Sequence, residues 1–176
     1  MKITGLKNIL PCPLTPNDSG RGHDWPEIKD GVPFPADYIE FISEYGLGRI
    51  ADFLLIFNPF SKDDDVNFFK QKSFILEDLN DLLKEDSEYY NFTLYPSDNG
   101  LLPIGVTDNG DYIFWVTSHA NKSDCWKTAI IASRSPDVEF FEKNITSLVE
   151  ELLNGKIKSS SFPDDFPPNS INFEKI

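Results

Sequence analysis

The sequence predicts a mixed fold of helices and strands built around one antiparallel hairpin, with an irregular N-terminal arm and a C-terminal tail. Three observations lead there. The stretch Leu101–Val116 alternates with period two, separate stretches carry helical stripes, and 40% of the 176 residues are hydrophobic, 15 of them Phe. Leu102, Ile104 and Val106 recur at every second position, as do Tyr112, Phe114 and Val116. Successive strand side chains point to opposite faces, so this spacing means strands. Between them lies Thr107-Asp108-Asn109-Gly110-Asp111, and Asn-Gly favours a tight hairpin because both residues tolerate positive φ. Ile113 and Trp115 fall on the face opposite Tyr112 and Phe114. With both faces apolar, the hairpin suits the centre of a sheet covered on both sides.

The other elements follow in order. Met1–Pro35 is rich in Pro, Gly, Asn and Asp and reads as an irregular arm anchored by Trp25 and Phe34. A helix is expected from Pro35 to Tyr45. Proline fits its first turn, Tyr38, Phe41, Ile42 and Tyr45 form one buried face, and Gly46 ends it. Ile50–Phe57 reads as one buried strand stopped by Asn58-Pro59. A helical pattern covers Phe68–Glu88; it is firmest from Ile75, with Ser73 as N-cap. Pro96–Gly100 is a turn. After the hairpin and the loop Ser118–Ser123, Trp126–Ala132 is a third strand beside it. Ser135-Pro136-Asp137 opens a last helix with Phe140, Phe141, Ile145, Leu148, Val149 and Leu152 on one face, and Gly155 closes it. Four large apolar residues in the tail Ser159–Ile176 suggest that it docks at least in part.

The length fits one domain with an added tail. Twenty-nine acids against 16 bases give a formal charge of −13. Such a chain repels nucleic acid and anionic membrane and attracts basic proteins. Solubility explains the acids equally well. Cys12 and Cys125 have no neighbouring Cys, so neither a disulfide framework nor a cysteine zinc site is indicated. There is no signal-peptide pattern and no apolar run of the ~20 residues needed to span a membrane, so a cytoplasmic setting is expected.

The residues outline no active site. His23 and His119 are the sole imidazoles, and nothing orients Ser118 or Cys125 toward His119. Gly20-Arg21-Gly22-His23 lacks the Gly-Lys-Ser/Thr ending of a phosphate loop. The pairs Glu150-Glu151 and Asp164-Asp165 fall on an outer helix flank and in the tail. Asp63-Asp64-Asp65 are adjacent, which splays carboxylates apart; a solvated loop explains them better than a cation site. No catalytic residue, cofactor or metal is expected. Trp115 and Trp126 read first as core and second as partner contacts.

Residues 35–48, PADYIEFISEYGLG, resemble the signature helix of the SUKH superfamily. Ile50–Phe57 with Asn58-Pro59-Phe60 is similar to the segment that follows. Leu102-Pro103-Ile104-Gly105 and Asp108–Ile113 resemble the second motif, and Ser135–Leu153 the closing helix. The resemblance spans about Val32–Gly155. It departs at Phe34, where Leu is usual, and at Gly46-Leu47-Gly48, where the family has a fuller glycine run. It implies an α+β fold, a mostly antiparallel sheet with helices packed against it, and a non-enzymatic protein-binding role. Bacterial members look like immunity proteins that neutralise a cognate polymorphic or contact-dependent toxin. Members of the fungal branch look like regulatory or scaffolding domains of cell-wall glucan synthesis. The first role implies a basic toxin domain as partner. The candidate partner-binding residues are then Asp63, Asp64, Asp65, Asp98, Asp108 and Asp111, expected in exposed loops, with Trp115 and Trp126 as the other place to look.

Overall fold

The computed structural model describes residues 3–118, 122–133 and 135–176. Among them seven strands form one antiparallel sheet and four α-helices pack around it, an α+β fold. The strands are β1 (Gly48–Ile50), β2 (Leu54–Ile56), β3 (Gly100–Thr107), β4 (Tyr112–Thr117), β5 (Lys127–Ile131), β6 (Val138–Phe141) and β7 (Phe173–Lys175). Their order across the sheet is β6-β5-β4-β3-β2-β1-β7. The first six run as a meander, and the tail returns to lay β7 along β1. The helices are α1 (Thr4–Ile9), α2 (Ala36–Tyr45), α3 (Phe68–Glu85) and α4 (Ile145–Leu153).

The hairpin β3–β4 lies at the centre, as its two apolar faces require. Cross-strand partners share a face, so Trp115 groups with Leu102 and Thr128, and Tyr112 groups with Val106 and Ile131. On the first face α2 sets Tyr38 edge-on against Trp115 at 5.1 Å, and Phe34 stacks on Tyr38 at 5.1 Å. Trp115, Tyr38 and Trp126 are all buried. The Tyr38 hydroxyl keeps its hydrogen bond by donating to the Phe57 carbonyl at 2.5 Å. On the other face α3 brings Leu79 and Leu82 alongside Tyr112 and Ile131.

The turn between β3 and β4 is tighter in its demands than Asn-Gly alone suggests. Gly110 donates to the Thr107 carbonyl at 3.0 Å, and of the turn residues only Gly110 has positive φ, at 83°. This is a type I turn followed by a left-handed glycine, one of the favoured longer hairpin loops. An added Cβ at Gly110 would meet the Ser133 side chain at an ordinary 3.5 Å. Gly110→Val should therefore cost the conformational term alone, about 1–2 kcal/mol. A urea midpoint unchanged from wild type would contradict it.

Four boundaries differ from the sequence reading. Ile50–Phe57 is not one strand but the β1–β2 hairpin, turned at Ala51 and Asp52 with φ of 51° and 53°. Neither residue announces positive φ, so the run looked continuous. Arg49 holds this turn by donating to the Asp52 carbonyl at 2.9 Å. Helix α3 starts at Phe68, ahead of the expected Ser73 cap. Asn67 caps it by accepting from Phe69 N at 2.9 Å and Lys70 N at 3.1 Å, while Ser73 lies inside and bonds back to the Phe69 carbonyl. Val138–Phe141 is an edge strand, and the last helix begins only at Ile145 under the Asn144 cap. The arm is not wholly irregular, since α1 buries Leu6 against the domain and packs on α4. The tail does dock, through β7 and the buried Phe162.

A buried carboxylate joins α2 to α4. Asp37 Oδ2 accepts from Thr146 N at 3.1 Å and from the Thr146 hydroxyl at 3.2 Å. Burial raises the Asp37 pKa above its ordinary 3.8, and the Thr146 hydrogen bonds oppose that rise. A folded pKa above the unfolded one means that the native state holds the proton more tightly. The stability from that proton is full below pH 3.8 and is lost as pH rises through the folded pKa. Asp37→Asn keeps an acceptor for Thr146 and removes the charge. It should gain stability relative to wild type as pH rises from 4 toward neutrality, read from urea midpoints across that range. Asp37→Ala should instead cost about 1–3 kcal/mol by orphaning the Thr146 donors.

Candidate functional site

The eight candidate residues do not form one surface. Asp63, Asp64 and Asp65 are exposed in the loop before α3. Their carboxylates diverge: Asp63 accepts from Asp65 N at 3.0 Å, and Asp64 lies 3.7 Å from Lys70. Asp98 and Asp108 are also exposed, but they sit beyond opposite ends of β3, whose eight residues span roughly 26 Å. Asp108 is paired with Arg49.

Asp111 corrects the expectation of exposure, while Trp115 and Trp126 lie in the core, the first of the two readings given to them. Asp111 is 3% exposed, with Oδ2 accepting from the Thr107 hydroxyl at 2.6 Å and Oδ1 from Ser133 N at 2.9 Å. It fastens the hairpin turn to the end of β5. The two Trp rings lie 5.8 Å apart in the core, and Trp126 Nε1 donates to the Ser118 carbonyl at 2.9 Å. Trp115 sits on the central strand β4, and Trp126, just ahead of β5, packs against it.

The candidates for chemistry are placed as follows. His23 is exposed beside Phe60, with ring centroids 6.1 Å apart. His119 falls outside the described residues, and with it any geometry toward Ser118 or Cys125. Glu151 pairs with Lys143 at 2.8 Å. Among the described residues no three of His, Cys, Asp or Glu converge as a metal site would require. None of the helices there is long and apolar enough to cross a membrane.

The structure instead shows a groove that the sequence reading missed. It runs between the C-terminal half of α3 and the sheet, with a volume of about 330 Å³. Leu79, Leu82, Tyr90, Phe92, Tyr112 and Ile131 give it an apolar floor, and Asp78 stands on its wall. Burial raises the Tyr112 pKa, and the Asp78 carboxylate adds to the rise. Beyond Ile131 the same sheet face passes to its cross-strand partner Val138 and then to Phe140, which is 63% exposed. Phe140 escaped notice because 138–141 was read as helix, where it joins a buried stripe. Read with period two, Val138 and Phe140 share a face, on which Val138 is partly buried against the core and Phe140 is exposed.

A direct comparison decides the resemblance noted in the sequence. The model of the SMI1 / KNR4 family (SUKH-1) matches residues 27–152, well over half of the chain. The chain belongs to the SMI1/KNR4 family. The matched span runs from ahead of α2 into α4, so it takes in β1–β6 and leaves out α1 and β7. Comparison with curated proteins and with solved structures gives no match. In the family frame Gly46 ends the signature helix with φ of 70°, and Gly110 turns the second motif. SUKH domains are protein-interaction modules, which directs attention to exposed side chains rather than to a catalytic cleft.

Proposed function

We propose that this SUKH protein is a non-enzymatic binding module, an immunity protein that captures and neutralises a basic toxin domain in the cytoplasm. The observation that carries the reading is the exposed Asp63–Asp65 run on a family member of net charge −13. Opposite fields raise encounter rates, and complementarity of this kind acts on association more than on final affinity. At physiological salt such fields reach ~8 Å, so association slows as salt rises.

The test is stopped-flow association with a purified candidate toxin domain, sought among the neighbouring reading frames. Changing Asp63, Asp64 and Asp65 to Asn should lower the rate several-fold and flatten its salt dependence. Thermal stability should hardly move, because exposed charges contribute little to folding. A rate that ignores both salt and the Asn changes would leave the acids to solubility. The absence of any toxin gene or toxin binding would favour a regulatory or scaffolding module instead.

A further inference from the structure

We infer that the α3 groove, continued by Phe140, seats a partner segment that carries a lysine or arginine beside a large apolar side chain. The inference rests on the binding role proposed above and goes on to name the surface and the chemistry of its occupant. Two observations choose that occupant. The first is the apolar seat itself. Its floor is formed by Leu79, Leu82, Tyr112 and Ile131, and Phe140 continues the same sheet face into solvent. Surplus exposed aromatic surface next to a preformed hollow is the usual setting of a binding anchor.

The second is the charge along one wall. Asp78, Asp81 and Glu85 follow one another at i+3 and i+4 on α3 and make a single exposed stripe. Among the described residues Lys84 answers it, at Asp81, 2.9 Å away. Asp78 lines the groove, and its field is already felt at Tyr112. A cation placed there meets a carboxylate at the edge of a low-dielectric floor, where the attraction is stronger than in open water. An acidic or neutral segment gains nothing from the stripe. A purely apolar one leaves the Asp78 carboxylate partly desolvated without a counter-charge. Arg134, between the lining residues Ser133 and Ser135 in sequence, is outside the described residues.

The test uses the full chain and two fluorescein-labelled peptides, one alternating lysine with tryptophan and one alternating glutamate with tryptophan. The lysine peptide should bind and the glutamate peptide should not. Asp78→Asn should weaken the lysine peptide by about ten-fold or less, a rim-charge effect. Phe140→Asp is the sharper variant. It adds negative charge at an exposed position, so general electrostatic attraction would hold or strengthen binding, whereas loss of the apolar anchor should weaken it by about ten-fold or more. The circular dichroism of each variant should match wild type. Lysine-peptide binding that is unchanged in Phe140→Asp, or equal for the two peptides, overturns the groove. The toxin domain of the preceding experiment is titrated in parallel. If it fails to bind wild type while the lysine peptide behaves as expected, the toxin reading falls and the groove stands.

Discussion

Trp115→Ala is expected to cost about 3–5 kcal/mol, the range for removing a large aromatic from a close-packed core. Trp115 is 1% exposed and meets rings from four other parts of the chain: Phe34 in the arm, Tyr38 on α2, Phe68 on α3 and Trp126 beside β5. Removing it opens a cavity where the central hairpin meets both the α2 layer and the start of α3. Against a domain's ordinary margin of about 5–15 kcal/mol, that loss is most of the stability at the low end and about a third at the high end. The measurement is a urea denaturation curve at neutral pH. A loss under about 1 kcal/mol would mean that the ring cluster does not organise the core. The variant also separates core from interface. Where enough of it stays folded, its association rate with a partner should match wild type, because a buried ring offers nothing to the encounter.

Gly46→Ala should be nearly as damaging, at about 3 kcal/mol or more. Gly46 caps α2 with φ 70° and ψ −141°, a region close to those open only to glycine and worth about 1–3 kcal/mol in strain for other residues. Its N–H donates to the Ile42 carbonyl at 2.8 Å, and an alanine Cβ would run into the backbone carbonyl oxygen of Asn17. That oxygen is already held by Leu47 N at 2.9 Å, so it cannot simply move aside. Strain and collision therefore add. A thermal midpoint within a degree or two of wild type would contradict this. Gly31 makes the fitting comparison: it too has positive φ, at 78°, but nothing stands within 4 Å of its missing Cβ. Gly31→Ala should show the conformational cost without the collision.

The centre of this fold was legible because its signals are redundant. Period-two alternation, an Asn-Gly turn and two apolar faces all placed β3–β4 in the middle of the sheet. The α2 helix was equally clear, with proline ahead of it, a four-residue apolar stripe and a glycine stop. The misreadings share one cause: local patterns with two physical solutions. IADFLLIF is apolar throughout, so a hairpin turned at Ala51-Asp52 cannot be told from a strand. VEFF followed by an amphipathic stripe extends a helix on paper, and only the Asn144 cap marks where it begins. Ser73 looks like a cap because serine is favoured there, while Asn67 does the work six residues earlier.

The candidate surface was legible in part. Asp63–Asp65 are exposed as adjacent acids in a polar loop should be. Asp111 was not separable from Asp108 by sequence, since both flank the same turn. Burial of Asp111 depends on Thr107 and Ser133 arriving from two different strands' ends. The groove is a tertiary product. Its lining comes from α3, the segment after it, the start of β4 and the end of β5, with Phe140 of β6 on the same sheet face, and no short window of sequence contains them together.

In the proposed role the chain works by binding a toxin domain. The direct measurement is coexpression of a candidate toxin domain, sought among the neighbouring reading frames, with and without this protein, followed by purification of the pair. The account predicts that the host cells survive only with the protein present, and that the two chains elute together as a stable complex. Toxicity that is unchanged by coexpression, with the two chains eluting apart, would contradict it.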